Sequence, residues 1–173
     1  GRLGLGAADD DAHPTAAQLA ALGSGVVQVA AGFDFSAALT AGGEVYLWGR
    51  NVYGQMANGE CSGSSCSPRG QNVADPARVA ALGTDTVQLA LGGFHALALK
   101  QGGAVFSWGK GDFGRLGLGD EDNRLSPTEV TSLGTDNAYV AAQTYASMAP
   151  KSDGRRFNRG FNQNNPPGDG TQQ

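Results

Sequence analysis

Few features of this 173-residue sequence have residue types and spacing that could support chemistry. Residues 109–114 match the G-x-G-x-x-G pattern, whose backbone N–H groups bind a dinucleotide pyrophosphate when a helix follows. In an earlier copy of this segment, residues 49–54, Asn51 replaces the middle glycine. Since a turn and a proline follow rather than a helix, we predict a strand-to-loop turn here and no cofactor.

The two cysteines form a C-x4-C pair in the longest loop, at Cys61 and Cys66. A structural zinc site needs four ligands, and the histidines, His13 and His95, belong to other segments of the chain. The sequence therefore predicts no metal site. It leaves two alternatives for the cysteines, a disulfide that closes the loop or two free thiols.

His95 is the candidate for a general base. The aligned residue in the earlier copy is Phe35, and a position that accepts phenylalanine is typical of packing or of a hydrogen bond within a sheet. The spacing places no serine or cysteine nucleophile near it. With no acid, base, nucleophile and metal set brought together, the sequence predicts no catalytic residues and a protein that is not an enzyme.

Two acidic runs, 9–11 and 120–122, each follow a copy of the string GRLGLG. A calcium loop needs alternating oxygen ligands, a central glycine and a distal glutamate, and neither run has them. Solvated acidic loops are the prediction for both.

Composition narrows the class of protein. Glycine contributes 28 of 173 residues, whereas the formal net charge is only −4. This combination indicates many tight turns rather than a disordered chain. No stretch approaches the roughly 18 apolar residues of a membrane span, so we expect no membrane contact. The acidic charge balance also argues against nucleic-acid binding, because that role needs a basic surface.

Internal repeats organise the chain. The segment 45–54 returns at 105–114, a shift of 108 − 48 = 60 between its tryptophans, and 76–85 returns at 127–136, a shift of 127 − 76 = 51. A third copy is eroded, with Arg159 at the tryptophan position. Such periods indicate a stack of similar units. We divide the chain into the end of a preceding repeat with a loop and outer strand (1–25), a first full repeat (26–85), a second full repeat (86–136), and an eroded or partial third repeat with a polar tail (137–173).

Each unit is predicted to be all-β. Residues 35–39 and 45–48 alternate in the period of two that a strand requires. The paired glycines between such runs predict hairpin turns with positive φ at both central positions. We place an outer strand after these runs, with Pro76 at its first position. About four strands per repeat is the unit of a β-propeller blade.

The tryptophans are predicted to be the main apolar anchors between neighbouring sheets, because each buries on the order of 200 Å². A glycine follows each of them. The positions that the repeats define as structural are Gly42, Gly43, Trp48, Gly49, His95, Gly102, Gly103, Trp108 and Gly109.

The string V-x-x-V-A-A-G-x-x-x-S-A-A-L-T-x-G-G-x-V-Y-x-W-G, which begins at residue 26, resembles the repeat of the regulator of chromosome condensation family, and so does 87–119. The resemblance implies a seven-bladed propeller. This chain holds about two complete blades of four antiparallel strands, with partial ones at each end. Because a blade cannot bury its faces alone, we expect the segment to belong to a longer chain or a larger assembly.

The function predicted from these observations is a non-enzymatic protein–protein interaction or scaffold module. Its expected partners are proteins bound through the blade loops, and the rest of the propeller or neighbouring subunits. The resemblance implies one alternative, a guanine-nucleotide exchange factor for a Ran-type small GTPase. Because its divergent loops match no family motif, we assign no exchange residue.

Overall fold

Three antiparallel sheets, one for each copy of the repeat, make up the computed structural model, which describes residues 1–6, 15–62 and 71–161. Blade 1 consists of β1 (Val26–Ala31), β2 (Phe35–Thr40), β3 (Val45–Gly49) and β4 (Val73–Arg78). Blade 2 consists of β5 (Thr86–Leu91), β6 (His95–Lys100), β7 (Val105–Gly109) and β8 (Arg124–Glu129). Blade 3 consists, in the described residues, of β9 (Ala141–Ala142), β10 (Ala146–Pro150) and β11 (Arg156–Gly160).

The strands of each blade pair in chain order, as in a meander. The second strand pairs with the third in the same register in all three blades, and the equivalent first pairs are Phe35 with Gly49, His95 with Gly109, and Ala146 with Gly160. The predicted all-β fold of four-stranded antiparallel blades is confirmed by blades 1 and 2. Blade 3 keeps the register although its sequence has diverged.

Helical structure is limited to single 3-10 turns in the described residues. The segment 15–22 has the composition of a helix, but only its end, Ala20–Leu22, is helical. The corresponding turns in later copies are Ala80–Leu82 and Thr131–Leu133, and a further one is Asp112–Gly114. Among the described residues, no helix is long and apolar enough to cross a membrane.

The core lies between the sheets. Apolar side chains of blades 1 and 2 form one buried cluster, and those of blades 2 and 3 form another. Small residues such as Ala37 and Ala98 are fully buried and allow close approach of the sheets. Leu89, which faces blade 1, is 2% exposed, whereas its equivalent in blade 1, Val29, is 70% exposed. Burial in this fold is therefore supplied by the neighbouring blade.

Glutamine side chains join the first strands of successive blades. Gln28 donates from Nε2 to the carbonyl of Leu89 (2.8 Å) and accepts the N–H of Leu89 at Oε1 (2.9 Å). Gln88 makes the same two bonds to Val140, at 3.1 and 3.0 Å. A side-chain amide thus replaces the backbone pairing that two separate sheets cannot make. The equivalent position in blade 3 is Tyr139.

The hairpin between the second and third strands needs one glycine, not two. Gly43 has φ +75° and Gly103 has φ +81°, and a Cβ on either would collide with a backbone carbonyl oxygen at the entrance to the next blade. Gly42 and Gly102 do not have positive φ, so the expectation of positive φ at both positions is wrong. Asp153 occupies the first position in blade 3, which shows that a side chain is tolerated there.

The outer strands begin earlier than the sequence indicates. Pro76 and Pro127 are each the fourth residue of a six-residue strand, β4 and β8, rather than the first. Both strands pair on one side only, so the missing proline N–H leaves no unsatisfied ladder position. In the region 1–25, no strand lies among the described residues, and 7–14 lie outside them.

In blades 2 and 3, a buried lysine connects the hairpin to the turn that enters the same blade. Lys100 donates from Nζ to the carbonyl of Leu82 and contacts Oδ1 of Asp85 at 2.5 Å. Lys151 bonds in the same way to Leu133 and Asp136 in blade 3. The hydrogen bond from Lys100 lowers the pKa of Asp85 below its ordinary value, and this outweighs the opposing effect of burial.

Replacing Lys100 with Thr, the residue at this position in blade 1, should lower the free energy of unfolding by about 1–2 kcal/mol at pH 7. Because the folded-state pKa of Asp85 is depressed, its contribution is present above pH 3.8 and is lost as the pH falls through the folded pKa. The difference between Lys100→Thr and the wild type should therefore shrink at pH 3. Urea unfolding at both pH values measures it, with the exposed Arg156→Thr as control. A difference independent of pH would contradict the assignment.

Candidate interaction surface

The sheets have two ends of different character. The turn between the first two strands and the loop after the third strand lie at one end, because Phe35 pairs with Gly49 where these strands meet them. The glycine hairpins and the lysine–aspartate pairs lie at the other. We call the first the aromatic end, formed by residues 32–34, 50–62, 92–94, 110–123, 143–145 and 161.

An aromatic cluster stands at this end where blades 1 and 2 meet (junction 1). Phe33 and Tyr53 each pack edge-on against Phe94, with ring centroids 5.3 and 5.4 Å away. The Nζ of Lys110 lies 4.6 Å from the centre of the Tyr53 ring. Phe33 remains 54% exposed, so the cluster presents apolar surface to solvent.

A second cluster stands where blades 2 and 3 meet (junction 2). Its members are Phe113, Tyr145 and Phe161, with centroids 4.6–6.2 Å apart. They are 46%, 44% and 38% exposed. The Arg115 guanidinium lies beneath them, 5.0 Å from the Tyr145 ring centre and 5.6 Å from that of Phe113.

Two of the three rings in each cluster occupy equivalent repeat positions. Tyr53 corresponds to Phe113 at the shift of 60, and Phe94 corresponds to Tyr145 at the shift of 51. These loop residues were not among the predicted site residues, because the alignment of repeats rests on the strands and the loops vary in length. The signal that could have found them is an aromatic residue that recurs in the loops at the period of the strands.

The two tryptophans have equivalent surroundings, as expected of anchors between units. Trp48 donates from its indole Nε1 to the carbonyl of Arg2, and Trp108 donates to the carbonyl of Gln55, both at 3.0 Å. Both rings are buried. The next residue, Gly49 or Gly109, has positive φ, and a Cβ there would meet the backbone of the first turn. Each tryptophan thus ties its strand to the loop of the preceding unit.

At junction 2 an arginine replaces the tryptophan. Arg159 packs over Gly117 as Trp48 packs over Gly4. Its Nε and Nη2 are buried and have no hydrogen-bond partner among the described residues. Burial lowers the pKa of Arg159 to about 10. A cationic group therefore occupies a site that holds a neutral indole in the other two copies.

Arg115 adds a second buried cation at junction 2. Its Nε donates to the carbonyl of Asp112 (2.8 Å) and its Nη1 donates to the carbonyl of Thr144 (3.2 Å). Its Nη2 is buried with no partner among the described residues. Burial is also the main cause that lowers the pKa of Arg115.

His95 lies inside the same junction. Its Nε2 is 2.8 Å from the Ser147 hydroxyl oxygen, a buried contact between blades 2 and 3. Burial, and then the charges of Arg115 and Arg159, lower the pKa of His95 to about 3. The structure thus places His95 as a neutral hydrogen-bonding group between sheets. The equivalent pair across junction 1 is apolar, since Phe35 and Ala96 are both buried there.

The remaining candidates for chemistry are located as follows. Cys61 is buried and is disulfide-bonded, while Cys66 lies outside the described residues, so the pairing between these two stays a prediction. His13 and the acidic run 9–11 also lie outside them. Asp120 accepts hydrogen bonds from Arg124 and from the N–H of Asp122. The described residues contain no group of side chains able to hold a metal ion.

The glycine-rich string 109–114 forms the end of β7 and a 3-10 turn. The next regular element is β8, which begins at Arg124. No helix follows the string, so its backbone N–H groups do not form the dinucleotide-binding arrangement. The predicted strand-to-loop turn is what the structure contains.

Comparison with known proteins agrees with this architecture of repeated four-stranded blades, in which a Trp-Gly pair binds the preceding loop. Two models of the regulator of chromosome condensation (RCC1) repeat match this sequence, one at residues 26–55 and 86–115 and the other at 42–99 and 102–149. The chain belongs to the RCC1 repeat family. The solved structure titled "Crystal structure of Kap60 bound to yeast RCC1 (Prp20)" aligns with a TM-score of 0.66 at 26% identity, covering 79% of this chain and 32% of that one.

Curated relatives include much longer proteins. The human "Probable E3 ubiquitin-protein ligase HERC4" is 35% identical over 78% of this RCC1-repeat chain, and human "E3 ubiquitin-protein ligase HERC2" is 36% identical over 87% of it. The chain spans 12% of HERC4 and 3% of HERC2. The prediction that the protein is not an enzyme is therefore wrong, because relatives that share this region are named as ligases. The match lies in the RCC1 repeats and gives this chain no activity by itself.

Acid should destabilise junction 2 through His95. The unfolded histidine takes up a proton below about pH 6.5, whereas the folded one, with a pKa of about 3, does not. Stability should therefore fall as the pH drops from 6.5 towards 3, by up to about 1.4 kcal/mol per pH unit. The variant His95→Phe/Ser147→Ala, which copies the apolar pair of junction 1, should lose this slope. Urea unfolding at several pH values tests it, and parallel curves for the two proteins would refute it.

Replacing Arg159 with Trp should stabilise the protein by about 1–3 kcal/mol, because it removes buried donors that have no partner. The new indole N–H should donate to the carbonyl of Arg115, as Trp48 donates to Arg2. Thermal and urea unfolding measure the change, with Arg156→Trp as the control for adding an indole on the same strand. A stability equal to or below that of the wild type would show that the guanidinium is compensated.

Proposed function

We propose that this chain is a protein-interaction module that presents its aromatic end to a protein partner. The observation that carries the proposal is the pair of aromatic clusters, one at each junction between blades. All six of their rings lie outside the strands, so the sheets do not require them for register. They leave apolar surface exposed at the one end of the sheets that the lysine–aspartate pairs do not occupy.

The composition of this end is that of an interface core. Aromatic side chains and arginine are enriched at protein–protein interfaces and carry most of the binding energy where they form a central patch. Phe113, Tyr145 and Phe161 form such a patch, with Arg115 below it.

A related protein supports a binding role for this architecture. Yeast RCC1 was solved bound to Kap60, and this chain aligns with 32% of its length. We propose that the units 26–85 and 86–136 act as successive blades that supply adjoining parts of one surface. A second contact, with a further blade, is proposed at the first face of blade 1, where Val27 and Val29 are exposed.

Site-specific photo-cross-linking tests the proposal. A benzoylphenylalanine at Phe113 should capture a discrete protein from cell extract, whereas the same group at Thr131, exposed at the opposite end, should not. The captured protein, identified by mass spectrometry and purified, should bind the wild type at least about tenfold more tightly than Phe113→Ser or Tyr145→Ser in calorimetry. Equal capture at both ends, or unchanged affinity of the serine variants, would exclude this surface.

Guanine-nucleotide exchange on a Ran-type GTPase is the alternative that the family resemblance implies. No side chain of the described loops has been matched to an exchange motif, so the alternative has no residue-level support. Release of a fluorescent GDP analogue from such a GTPase, measured with and without this chain, separates the two roles. Acceleration that survives Phe113→Ser would favour exchange through another surface.

A further inference from the structure

We propose that the surface at junction 2 receives an acidic segment of the partner protein, an inference that rests on the proposed function. A carboxylate of this segment binds Arg115 and Arg159. An adjacent apolar side chain of the segment packs on Phe113, Tyr145 and Phe161.

The first observation behind this assignment is an excess of buried positive charge. Nη2 of Arg115, and Nε and Nη2 of Arg159, are buried donors without a partner among the described residues. The carboxylate whose charge acts on Arg115 is that of Asp112, and Asp112 is already paired with Lys110 at 2.6 Å. Buried charges in proteins are normally paired, so this junction offers binding capacity that the described chain does not use.

The second observation is that the fold does not require these cations. At junction 1 the position of Arg115 is occupied by Gln55, and that of Arg159 by Trp108. Junction 1 keeps the same strand register with these uncharged groups. At junction 2 the two arginines bury donors without partners, and such burial costs stability. Polar groups that oppose stability in this way are characteristic of functional sites.

The third observation concerns access. The Arg115 guanidinium is covered by the rings of Phe113 and Tyr145, which are themselves half-exposed. Exposed side chains change rotamer in picoseconds to nanoseconds, so a ligand can reach the guanidinium by displacing a ring without moving a strand. Arg159 is only partly buried. Its strand, β11, contacts the turn that carries Phe113, and the charges of Arg159 and Arg115 both act on His95. Docking would then exchange cation–π contacts for a charge-assisted hydrogen bond, which is the stronger interaction.

The aromatic cluster at junction 2 favours a peptide over a small anion as the ligand. Phe113, Tyr145 and Phe161 offer apolar area to an occupant, and inorganic phosphate has nothing to bury against it. A peptide with glutamate beside a large apolar residue satisfies both parts of the site. Backbone flexibility of such a segment also allows its carboxylate to reach beneath the rings.

Fluorescence anisotropy with synthetic peptides tests this inference. The probe is a labelled peptide of sequence GSEEFEELSG, and the comparison peptide, GSQQFQQLSG, differs only in glutamine for glutamate. We expect the acidic peptide to bind the wild-type chain at least about tenfold more tightly than its glutamine counterpart. Arg115→Gln and Arg159→Trp, which copy junction 1, should each weaken it by about tenfold, and affinity should fall as salt rises.

Arg156→Gln is the matched control, since Arg156 is an exposed arginine on the same strand as Arg159, and its affinity should equal that of the wild type. Equal binding of the two peptides, or no loss in either junction variant, overturns the inference. So does competition by inorganic phosphate as strong as that by unlabelled acidic peptide, which would reveal a general anion site.

The failure of this inference is distinguishable from that of the proposed function. A protein captured through Phe113 whose affinity does not change in Arg115→Gln would keep the interaction module and overturn the acidic segment alone. The absence of any capture at the aromatic end would overturn both. Circular dichroism of Arg115→Gln and Arg159→Trp confirms that the variants retain the β-sheet fold.

Discussion

Burial of each sheet against the next is the constraint on which the rest of this structure depends. A four-stranded blade has two apolar faces and cannot cover either by itself, so its stability comes from contacts between blades. Leu89 of blade 2 is buried because it packs against blade 1, whereas Val29, the equivalent residue of blade 1, is exposed. The glutamine amides and the tryptophan N–H groups then supply the hydrogen bonds that separate sheets cannot make through their backbones.

The same backbone contact is made with different side-chain chemistry at the two junctions. Junction 1 uses Phe35 against Ala96, together with the neutral Trp108. Junction 2 uses a histidine–serine hydrogen bond together with two arginines. Because strand register is fixed within each blade by its own ladder, the side chains between blades can diverge without altering the fold. This freedom allows one junction to serve packing alone while the other carries unpaired charge.

The division of the molecule into two ends follows from the same logic. At one end, Lys100 and Lys151 each bind the turn that enters their own blade, which fixes the hairpin to the start of the sheet. At the other end, the loops are long and of unequal length, and their side chains contact those of the next blade. Function in a repeat scaffold resides in such loops. Relatives as different in length as HERC4 and yeast RCC1 share the scaffold, so the scaffold alone does not specify an activity.

The repeat, the alternation of the strands and the equivalence of Trp48 and Trp108 can be predicted from the sequence, because these depend on residues close in the chain or on a fixed period. It could not place Pro76 within its strand, since ladder pairing extends an edge strand beyond what local pattern shows. It also could not show that Gly43 rather than Gly42 needs a positive φ, because the obstacle is the backbone of the next blade.

The side chains that meet across the junctions could not be predicted in this way, because the packing of one blade against the next brings them together. The aromatic clusters, the contact of His95 with Ser147, the hydrogen bond of Arg115 to Thr144 and the packing of Arg159 on Gly117 all join residues of different blades. Their proximity depends on how each sheet is rotated against its neighbour, and no local pattern or period in the sequence encodes that angle.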